Sequence, residues 1–351
     1  MITIGLILEP LDTLFFRGGR PFGAGLPGES GQPTPQAFAG AIRTFLLEKV
    51  GANFESMRGK ATTAEAFAAA GAPWLSHASF RGPWLADVSN ASAPKPYLYA
   101  PADVVLNGKQ PARLRPLRTK LPGWEPPEAG MLPLWLKGAR AGKDRPGWLT
   151  FDGLSAYLQD QILRPHHFQP ADRLYELEER TGITVDEQKQ AAGDSLIYST
   201  RALRLCQQVG FYGEVDLPDH AVALFAGEEA IPWGGERHHV VVRRVNPVRW
   251  PEATVGERTS LMLVAPAFFA AGWRPDGLPT GTLIAAAVDG PFVVSGWDLA
   301  RCGPKPTRFG VAAGSVYFVE NRQPPAGTLA AGEDAQLGYG HFLRGTWNYA
   351  Q

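Results

Sequence analysis

The chain has 351 residues, enough for one large or two medium domains with a sizeable core. It carries 34 basic and 34 acidic side chains, so its formal net charge of zero gives no global electrostatic argument for a nucleic-acid partner. The hydrophobic fraction of 44% excludes a disordered chain, whereas the 40 glycines and 31 prolines predict many loops.

The sequence also limits the cellular location and the use of cysteine. Cys206 and Cys302 lie far apart without a metal-binding partner nearby, which argues against a disulfide framework and against a zinc site. No uncharged apolar run approaches the roughly 18 residues that a membrane span requires, and the N-terminus lacks the features of a signal peptide. We therefore expect a cytoplasmic protein without a membrane partner.

The first elements are predicted to be a strand, a long loop and a helix. Residues 1–11 are apolar and β-branched, as in a buried strand, and a Gly/Pro/Ser loop follows. Thr34 can act as N-cap before Pro35, and Gly51 can end the helix. The helical apolar periodicity between these ends is carried by Phe38, Ala41, Ile42, Phe45 and Leu46.

The middle of the chain lacks a clear period over residues 71–153, which are rich in Pro, Gly and Trp. We interpret this segment as an insertion of short hairpins and loops. A short helix is expected over 154–163. Strands are expected over 196–205 and about 211–217.

The last 110 residues are rich in predicted strands. A short helix is expected at 267–271. The strands are expected over 239–245, 260–264, 282–288, 292–295, 315–319 and 341–347.

These elements predict an α+β fold of two ferredoxin-like (RRM-like) domains with long loop-rich insertions, although periodicity alone also allows other α+β sandwiches. The N-terminal domain is expected to span residues 1–250 and to contain the insertion at about 71–153. The C-terminal domain is expected to span 251–351 and to end in a glycine-rich loop.

Charge is unevenly distributed along the chain. Residues 109–120 contain five basic and no acidic side chains, and residues 237–249 contain four arginines and no acid. Residues 172–187 are acidic by contrast. The clustering is compatible with chance, but two such runs and a third, shorter one near Lys305 favour local contact with a polyanion.

Four motifs combine glycine with arginine. Glycine lets a ligand approach the main chain and leaves N–H groups free for phosphate oxygens, and arginine adds a forked, permanently charged donor. Each motif alone is weak evidence, because a glycine in a turn usually reflects only a positive φ angle. The motifs lie at residues 17–21, 233–237, 301–308 and 338–344.

No catalytic, metal-binding or cofactor-binding pattern is present. The sequence has no Walker-type loop, no carboxylate cluster for magnesium and no Gly-x-Ser-x-Gly elbow. Of the seven histidines, none precedes His77, and His166 and His167 are adjacent, which is a poor arrangement for binding one metal together. We therefore expect no enzyme activity, no metal and no cofactor.

Taken in order, these motifs resemble the RAMP-superfamily third subunit of the Cmr module, the type III-B CRISPR effector complex. Two departures are Gly18-Gly19, where an acidic residue is frequent, and Phe309, where a second arginine is frequent. The matching segments are 10–17 with 20–22, 33–35 with 39–43, 180–183 with 196–198, 234–237, 295–298 with 304–308, and 338–340.

The resemblance implies an RNA-binding cap subunit that is not a nuclease. Its expected partners are the 5′ tag of the crRNA, the large polymerase/cyclase-like CRISPR subunit and the backbone RAMP subunit. Single-stranded RNA is typically bound by basic or glycine-rich elements and by stacking on aromatic rings, which agrees with the residues seen here. The candidate RNA-binding residues are Arg17, Gly18, Gly19, Arg20, Arg43, Gly235, Arg237, Lys305, Thr307, Arg308, Gly338, Gly340 and His341.

Two alternatives remain open at this point. One is a metal-independent endoribonuclease that processes CRISPR precursors with a histidine near the first helix as acid/base, against which the absence of histidine before His77 counts. The other is a purely structural assembly subunit whose basic runs meet acidic protein surfaces.

Overall fold

The computed structural model describes residues 1–17, 28–138, 145–186, 191–253, 256–279, 281–298, 303–320 and 327–350. The helices within these residues are α1 (Pro35–Lys49), α2 (Thr63–Ala69), α3 (Phe151–Leu158), α4 (Asp219–Val222) and α5 (Gly332–Leu337). Short 3-10 helices cover Phe54–Met57, Pro73–His77, Pro165–His167 and Ala171–Arg173. None of the helices in this part of the chain is long and apolar enough to cross a membrane.

The strands of the first half are β1 (Ile2–Pro10), β2 (Gly28–Glu29), β3 (Ser79–Asp87), β4 (Lys95–Pro96), β5 (Leu98–Tyr99), β6 (Val104–Asn107), β7 (Gln110–Arg113), β8 (Arg115–Pro116), β9 (Leu134–Trp135), β10 (Trp148–Leu149) and β11 (Phe168–Gln169). Those of the second half are β12 (Tyr175–Asp186), β13 (Ala191–Leu205), β14 (Val209–Leu217), β15 (Glu229–Pro232), β16 (His239–Val245), β17 (Arg258–Leu263), β18 (Leu283–Ala287), β19 (Pro291–Asp298), β20 (Gly303–Val311), β21 (Val316–Glu320) and β22 (Phe342–Thr346).

Two antiparallel sheets organise the molecule. The larger has the order β15-β16-β1-β14-β3-β4, and the smaller has the order β18-β21-β17-β22. If the strands are numbered by their order within each unit, β1, β3, β14 and β16 lie in the order 4-1-3-2, and so do β17, β18, β21 and β22. All neighbours in both sets are antiparallel. The expected α+β fold is therefore confirmed.

Helix α1 covers one face of the larger sheet. It starts as its sequence predicts, because the Thr34 hydroxyl accepts a hydrogen bond from the Ala37 N–H at 3.1 Å and Pro35 occupies the first turn. Phe38 and Ile42 are completely buried against this sheet. The helix can approach closely because Gly213 of β14 has no side chain: a Cβ there would lie 2.5 Å from the Phe38 ring.

The opposite face of the larger sheet packs against the smaller sheet. Ile7, Trp84 and Tyr212 share one hydrophobic cluster with Met262 and Phe318 of the smaller sheet. The Trp84 indole N–H also donates to the Val264 carbonyl at 2.7 Å. The two units that the sequence predicts to be separate domains thus share a core, while a division at residue 250 stays a prediction.

The connection between β3 and β14 contains the longest hairpin of the described residues. β12 and β13 pair antiparallel from Tyr175↔Leu205 to Asp186↔Ala191. The hairpin is attached near its base by two hydrogen bonds between the main chains of Leu14 and Leu203, of 2.8 and 2.7 Å. The arm therefore extends from the loop that follows β1.

The structure differs from the sequence predictions at three places. Residues 71–153 contain short hairpins, but they also contribute β3, which lies between β14 and β4 in the larger sheet, so they are not wholly an insertion. The helix expected at 267–271 is wrong, because Ala267 forms a bridge with Val311 and the residues after it form isolated bridges and a turn. The described part of the glycine–arginine motif at 301–308, from Gly303 onwards, is strand β20 paired with β19 and is not a loop.

A pair of glycine substitutions tests how closely α1 packs against the larger sheet. We expect Gly213→Ala to lower the free energy of unfolding by about 1–3 kcal/mol, because the new methyl group overlaps the Phe38 ring. Gly40→Ala is the matched control: Gly40 lies on the exposed side of α1, and no atom lies within 4 Å of the place that its new methyl group would occupy. This second change should stabilise the protein by roughly 0.5–1 kcal/mol. Chemical denaturation measures both, and a Gly213→Ala variant as stable as the wild type or more stable would contradict this packing.

Candidate nucleic-acid interface

Two separate segments meet the first turn of α1. The Trp233 indole N–H donates to the Ala37 carbonyl at 3.2 Å, which fixes the turn between β15 and β16. The Gln36 amide nitrogen lies 2.6 Å from where a Cβ on Gly296 would be, so the β19–β20 hairpin also reaches this turn. Because both segments carry predicted contact residues, the start of α1 is the centre of the candidate site.

The loop after β1 places two arginines near one another. The Phe16 N–H donates to the Ser30 hydroxyl at 2.9 Å, and the Ser30 N–H donates to the Arg201 carbonyl at 2.8 Å. Arg17 forms a backbone bridge with Ser30 and is exposed. Arg17 and Arg201 therefore flank the same residue. The predicted contacts Gly18, Gly19 and Arg20 lie outside the described residues.

The turn between β15 and β16 has a strained backbone. Glu236 and Arg237 both have φ of 57°, in the left-handed region that residues with side chains seldom adopt. Gly235 is exposed, and its N–H donates to the Phe15 carbonyl at 2.7 Å, so this amide is already used. Arg237 is exposed, and its guanidinium makes no hydrogen bond within the described part of the chain. The strained turn thus presents the Arg237 charge to solvent.

An ion-pair network fixes the base of the long hairpin to the loop after β1. The Asp12 carboxylate accepts from Arg180 at 3.0 Å and from Arg204 at 3.3 Å. The hydrogen bond from Arg180 is the main cause of the lowered pKa of Asp12. Glu178 pairs with both arginines as well. The sequence does not reveal this network, because Asp12, Arg180 and Arg204 are far apart in the chain, although Asp12 and Arg180 lie in segments 10–17 and 180–183 that carry the family resemblance.

Arg43 on α1 is buried without a charged partner in contact. Its side chain is 9% exposed, and the guanidinium carbon lies 5.3 Å from the Phe67 ring centroid and 5.2 Å from that of Phe80. Its Nε has no hydrogen-bond partner, and no hydrogen bond to its guanidinium occurs among the described residues. Burial lowers the pKa of Arg43, and the charge of Glu333 offsets this only in part. An anion would compensate this guanidinium.

Strand β20 carries three further candidates. Arg308 stacks on Phe268, 3.7 Å from the ring centroid, and makes two hydrogen bonds to Asp334 at 2.7 and 2.6 Å. The bonds to Asp334 raise the pKa of Arg308, so its charge is already paired. Lys305 is half-buried and Thr307 is exposed. Among the described residues, Arg308 has an ion-pair partner and Lys305 has none, so Lys305 is the unpaired positive charge of this strand.

The C-terminal loop is explained by internal packing. Gly338 has φ of 100°, and a Cβ there would lie 2.7 Å from the Phe80 carbonyl. Gly340 has φ of 70°, and a Cβ there would lie 2.6 Å from the Ala330 nitrogen. Both glycines are buried. Glycine is therefore required at both positions without a ligand, and the argument from glycine to close RNA approach does not apply to them.

His341 follows this loop and is half-buried. Its Nδ1 lies 3.2 Å from the Gly327 carbonyl, to which it can only donate. Burial, together with the charge of Arg81, lowers the pKa of His341 to about 4. The ring is therefore neutral at pH 7.

The basic run at 109–120 is largely neutralised within the protein. Arg113 is buried and pairs with Asp103 at 3.2 Å and with Asp160 at 2.8 Å. Arg115 also pairs with Asp160, and Arg118 lies over the Tyr349 ring. These arginines connect the middle of the chain to its C-terminal end. The run thus gives no support for a polyanion contact at its arginines.

The described residues contain no cluster of three or more His, Cys, Asp or Glu side chains that could hold a metal ion. His166 and His167 pack edge to face with their ring centroids 4.4 Å apart. They line an open groove with Asp160, Gln161, Ile162 and Arg164.

Comparison with known proteins gives a family and a fold. The family model described as CRISPR-associated protein (Cas_Cmr3) matches residues 6–347. A chain of the type III-B Cmr-beta complex bound to cognate target RNA and AMPPnP is 14% identical with a TM-score of 0.50, covering 90% of this chain and 86% of that chain. A chain of the Csm1-Csm4 cassette in complex with AMPPNP is 11% identical with a TM-score of 0.38, covering 99% of both. No curated protein sequence matches.

The lowered pKa of His341 predicts a pH effect on stability. The unfolded chain binds a proton at His341 below about pH 6.5, whereas the folded chain does so only near pH 4. Stability from the neutral ring is therefore present above pH 6.5 and is lost as the pH falls toward 4. Thermal melting should show that His341→Gln loses less stability than the wild type over this range. The same substitution at exposed His77 is the control, and equal pH dependence of wild type and His341→Gln would contradict the burial of this ring.

Proposed function

The chain belongs to the Cas_Cmr3 family of CRISPR-associated proteins, and on that basis we propose that it is the crRNA-binding subunit of a type III-B CRISPR effector complex. In this role it holds the 5′ tag of the crRNA at the end of the complex. The large polymerase/cyclase-like subunit and the backbone RAMP subunit are its protein partners. It works in the cytoplasm.

The observation that carries the proposal is the buried guanidinium of Arg43. A buried cation without a bonded partner is costly for a folded protein, and a ligand anion removes this cost. The phosphate of an RNA backbone has the charge and the acceptor geometry that a guanidinium fork suits. Cation–π contacts with the Phe67 and Phe80 rings hold the guanidinium in place.

The surroundings of Arg43 suit an extended strand of RNA. Gln36, Gly40 and Arg43 follow one another on one side of α1, since their spacing is four and three residues. Gly40 is exposed and leaves the helix backbone open between the two side chains. At the Gln36 end lies the β19–β20 hairpin with Lys305. The side of α1 formed by Gln36, Gly40 and Arg43 could therefore accommodate a phosphate backbone along the helix.

The second part of the proposed RNA surface is the loop after β1. Arg17 and Arg237 are both exposed, and Gly235 joins their segments through its bond to Phe15. Because Trp233 of the same turn bonds to α1, this surface continues from the first turn of the helix. The tag would therefore lie across the start of α1.

The proposal includes a fold of two ferredoxin-like units. The support is the strand order 4-1-3-2, which occurs in both sheets with antiparallel neighbours. Helices also occur where this topology requires connections between strands. In the larger unit α1 follows the first strand and the short α4 lies between the third and the fourth, and in the smaller unit α5 precedes the last strand.

Protein docking is proposed for the connection between β3 and β14. Its exposed apolar side chains include Tyr99, Trp135 and Ile162, which are 41%, 44% and 85% exposed. Ile162 and Arg164 line the same open groove, which would offer a neighbouring subunit an apolar and a charged contact side by side. The long β12–β13 hairpin offers a second contact to a neighbour.

We propose a non-catalytic role for the subunit. The alternative of a metal-independent endoribonuclease requires a histidine near the first helix, and the sequence has none before His77. A purely structural role would leave the uncompensated charge of Arg43 without a purpose.

Replacing Arg43 separates RNA binding from folding. We expect Arg43→Met to weaken binding of a single-stranded RNA with the tag sequence by roughly tenfold or more, since charged hydrogen bonds contribute about 1.5–3 kcal/mol. The slope of log affinity against log salt should fall by about 0.7 for the lost phosphate contact. The free protein should be equally or more stable, because an uncompensated buried charge is removed. Fluorescence anisotropy and thermal melting measure these effects.

The matched control is Arg58→Met. Arg58 is 63% exposed and pairs with Glu55, so this change removes the same charge away from the proposed surface. Combined truncation of Arg17, Arg43, Arg237 and Lys305 should flatten the salt dependence further. Equal affinity and equal slope for Arg43→Met and the wild type would overturn the assignment.

A further inference from the structure

The two faces of the β19–β20 hairpin have different environments. The inner face is held by Arg308, which stacks on Phe268 and bonds to Asp334, and by Gly310, where a Cβ would lie 2.4 Å from the Ala267 carbonyl. Side chains alternate along a strand, so Phe309 points away from this contact. Its side chain is 70% exposed.

Phe309 is therefore displayed from a rigid position. Its strand is paired with β19 from Pro291↔Val311 to Asp298↔Gly303, and Val293 lies directly opposite Phe309. No other aromatic ring lies against Phe309 in the described residues. An aromatic side chain with few rotamers on a fixed strand loses little conformational entropy when a flat ligand covers it.

The residues around Phe309 favour RNA over a protein partner. The face of β20 that carries Phe309 also carries the exposed, polar Thr307 and the half-buried Lys305, and the strand has no acidic side chain; the charge of Arg308 is paired with Asp334. A protein contact would normally add further apolar side chains to form a contiguous patch. An exposed ring with one half-buried aliphatic neighbour, Val293, and with a lysine and a hydroxyl group on the same face instead matches a nucleobase attached to a phosphate backbone.

We infer that Phe309 is a base-stacking residue that contacts an unpaired nucleobase of the bound RNA. This inference rests on the proposed function and adds a contact with a base to the proposed contacts with phosphates. The pairing of β20 with β19 would fix the position of the Phe309 side chain, and Lys305 would neutralise a phosphate nearby. Stacking accepts any base, so Phe309 adds affinity without sequence selection.

Binding of a fluorescent single-stranded RNA with the tag sequence to the purified full-length chain tests this inference. Phe309→Ala should weaken binding by roughly 5- to 150-fold, the range of aromatic stacking contributions. Phe309→Trp should retain or improve affinity, whereas Phe309→Leu, which is apolar but lacks a π face, should lose most of it. The salt slope should stay that of the wild type, because no charge changes. Phe54→Ala is the control, since Phe54 is also exposed, at 43%, but lies away from the hairpin.

A second measurement identifies the base. RNAs with 2-aminopurine at successive tag positions should show quenching at one position with the wild type, and this quenching should be relieved by Phe309→Ala. An abasic site at that position should remove the difference in affinity between the two proteins. This outcome would tie the effect to one base.

The possible failures are distinguishable. If the wild type binds the RNA, and both Phe309→Ala and Phe309→Leu bind it with the affinity of the wild type, the stacking inference is wrong. The proposed function stands in that case. Unchanged RNA affinity together with lost copurification of a neighbouring subunit would mean that Phe309 is a protein contact, which also overturns the inference. If the wild-type chain binds no RNA at all, the proposed function fails and the inference fails with it.

Discussion

The close contact between Phe38 of α1 and Gly213 of β14 is the constraint on which the candidate site depends. With no side chain at Gly213, the Phe38 ring occupies the space over the sheet and packs edge to face with Phe80 at 6.1 Å. The same Phe80 ring faces the Arg43 guanidinium one turn and a half further along the helix. A core contact thus decides where a charged side chain lies.

The seating of α1 also explains how distant parts of the chain reach one surface. The larger sheet packs with its other face on the smaller sheet through a shared core that includes Ile7 and Phe318. This packing fixes the C-terminal unit relative to α1, so that the β19–β20 hairpin and α5 lie at the helix. The surface proposed for RNA is therefore a product of the whole fold, and neither sheet provides it alone.

Local rules predicted the elements whose determinants are local. The N-cap Thr34 and the apolar periodicity after it predicted a helix, which the structure has at Pro35–Lys49. Strand β16 spans His239–Val245, as its sequence predicted. β3 was missed because Gly82-Pro83 in its middle is typical of a break. The strand continues because Gly82 has φ of 98° at an irregularity opposite β14. Glycine adopts this positive φ without steric cost, so the pair interrupts the regular pairing without ending the strand.

The charges of the site could be predicted only in part, since an arginine's role depends on partners that the sequence does not place. Arg113 lies in the most basic run of the chain but is neutralised by Asp103 and Asp160. Arg308 lies in a family motif, yet Asp334 holds it. No local pattern reveals either carboxylate, and none reveals the two phenylalanines that enclose Arg43.

The proposal places more weight on the burial of Arg43 than on the density of charge along the chain. An exposed arginine is solvated and a paired one is neutralised, so each gains less from a single new hydrogen bond to an anion than a desolvated and unpaired arginine does. Arg43 has lost solvent to Phe67 and Phe80 without gaining a bonded acceptor, and its lowered pKa reflects this cost. A phosphate bound there restores the missing interaction in the folded state alone, since the unfolded chain leaves the same guanidinium in water. By linkage, RNA that binds at Arg43 must stabilise the fold that buries it.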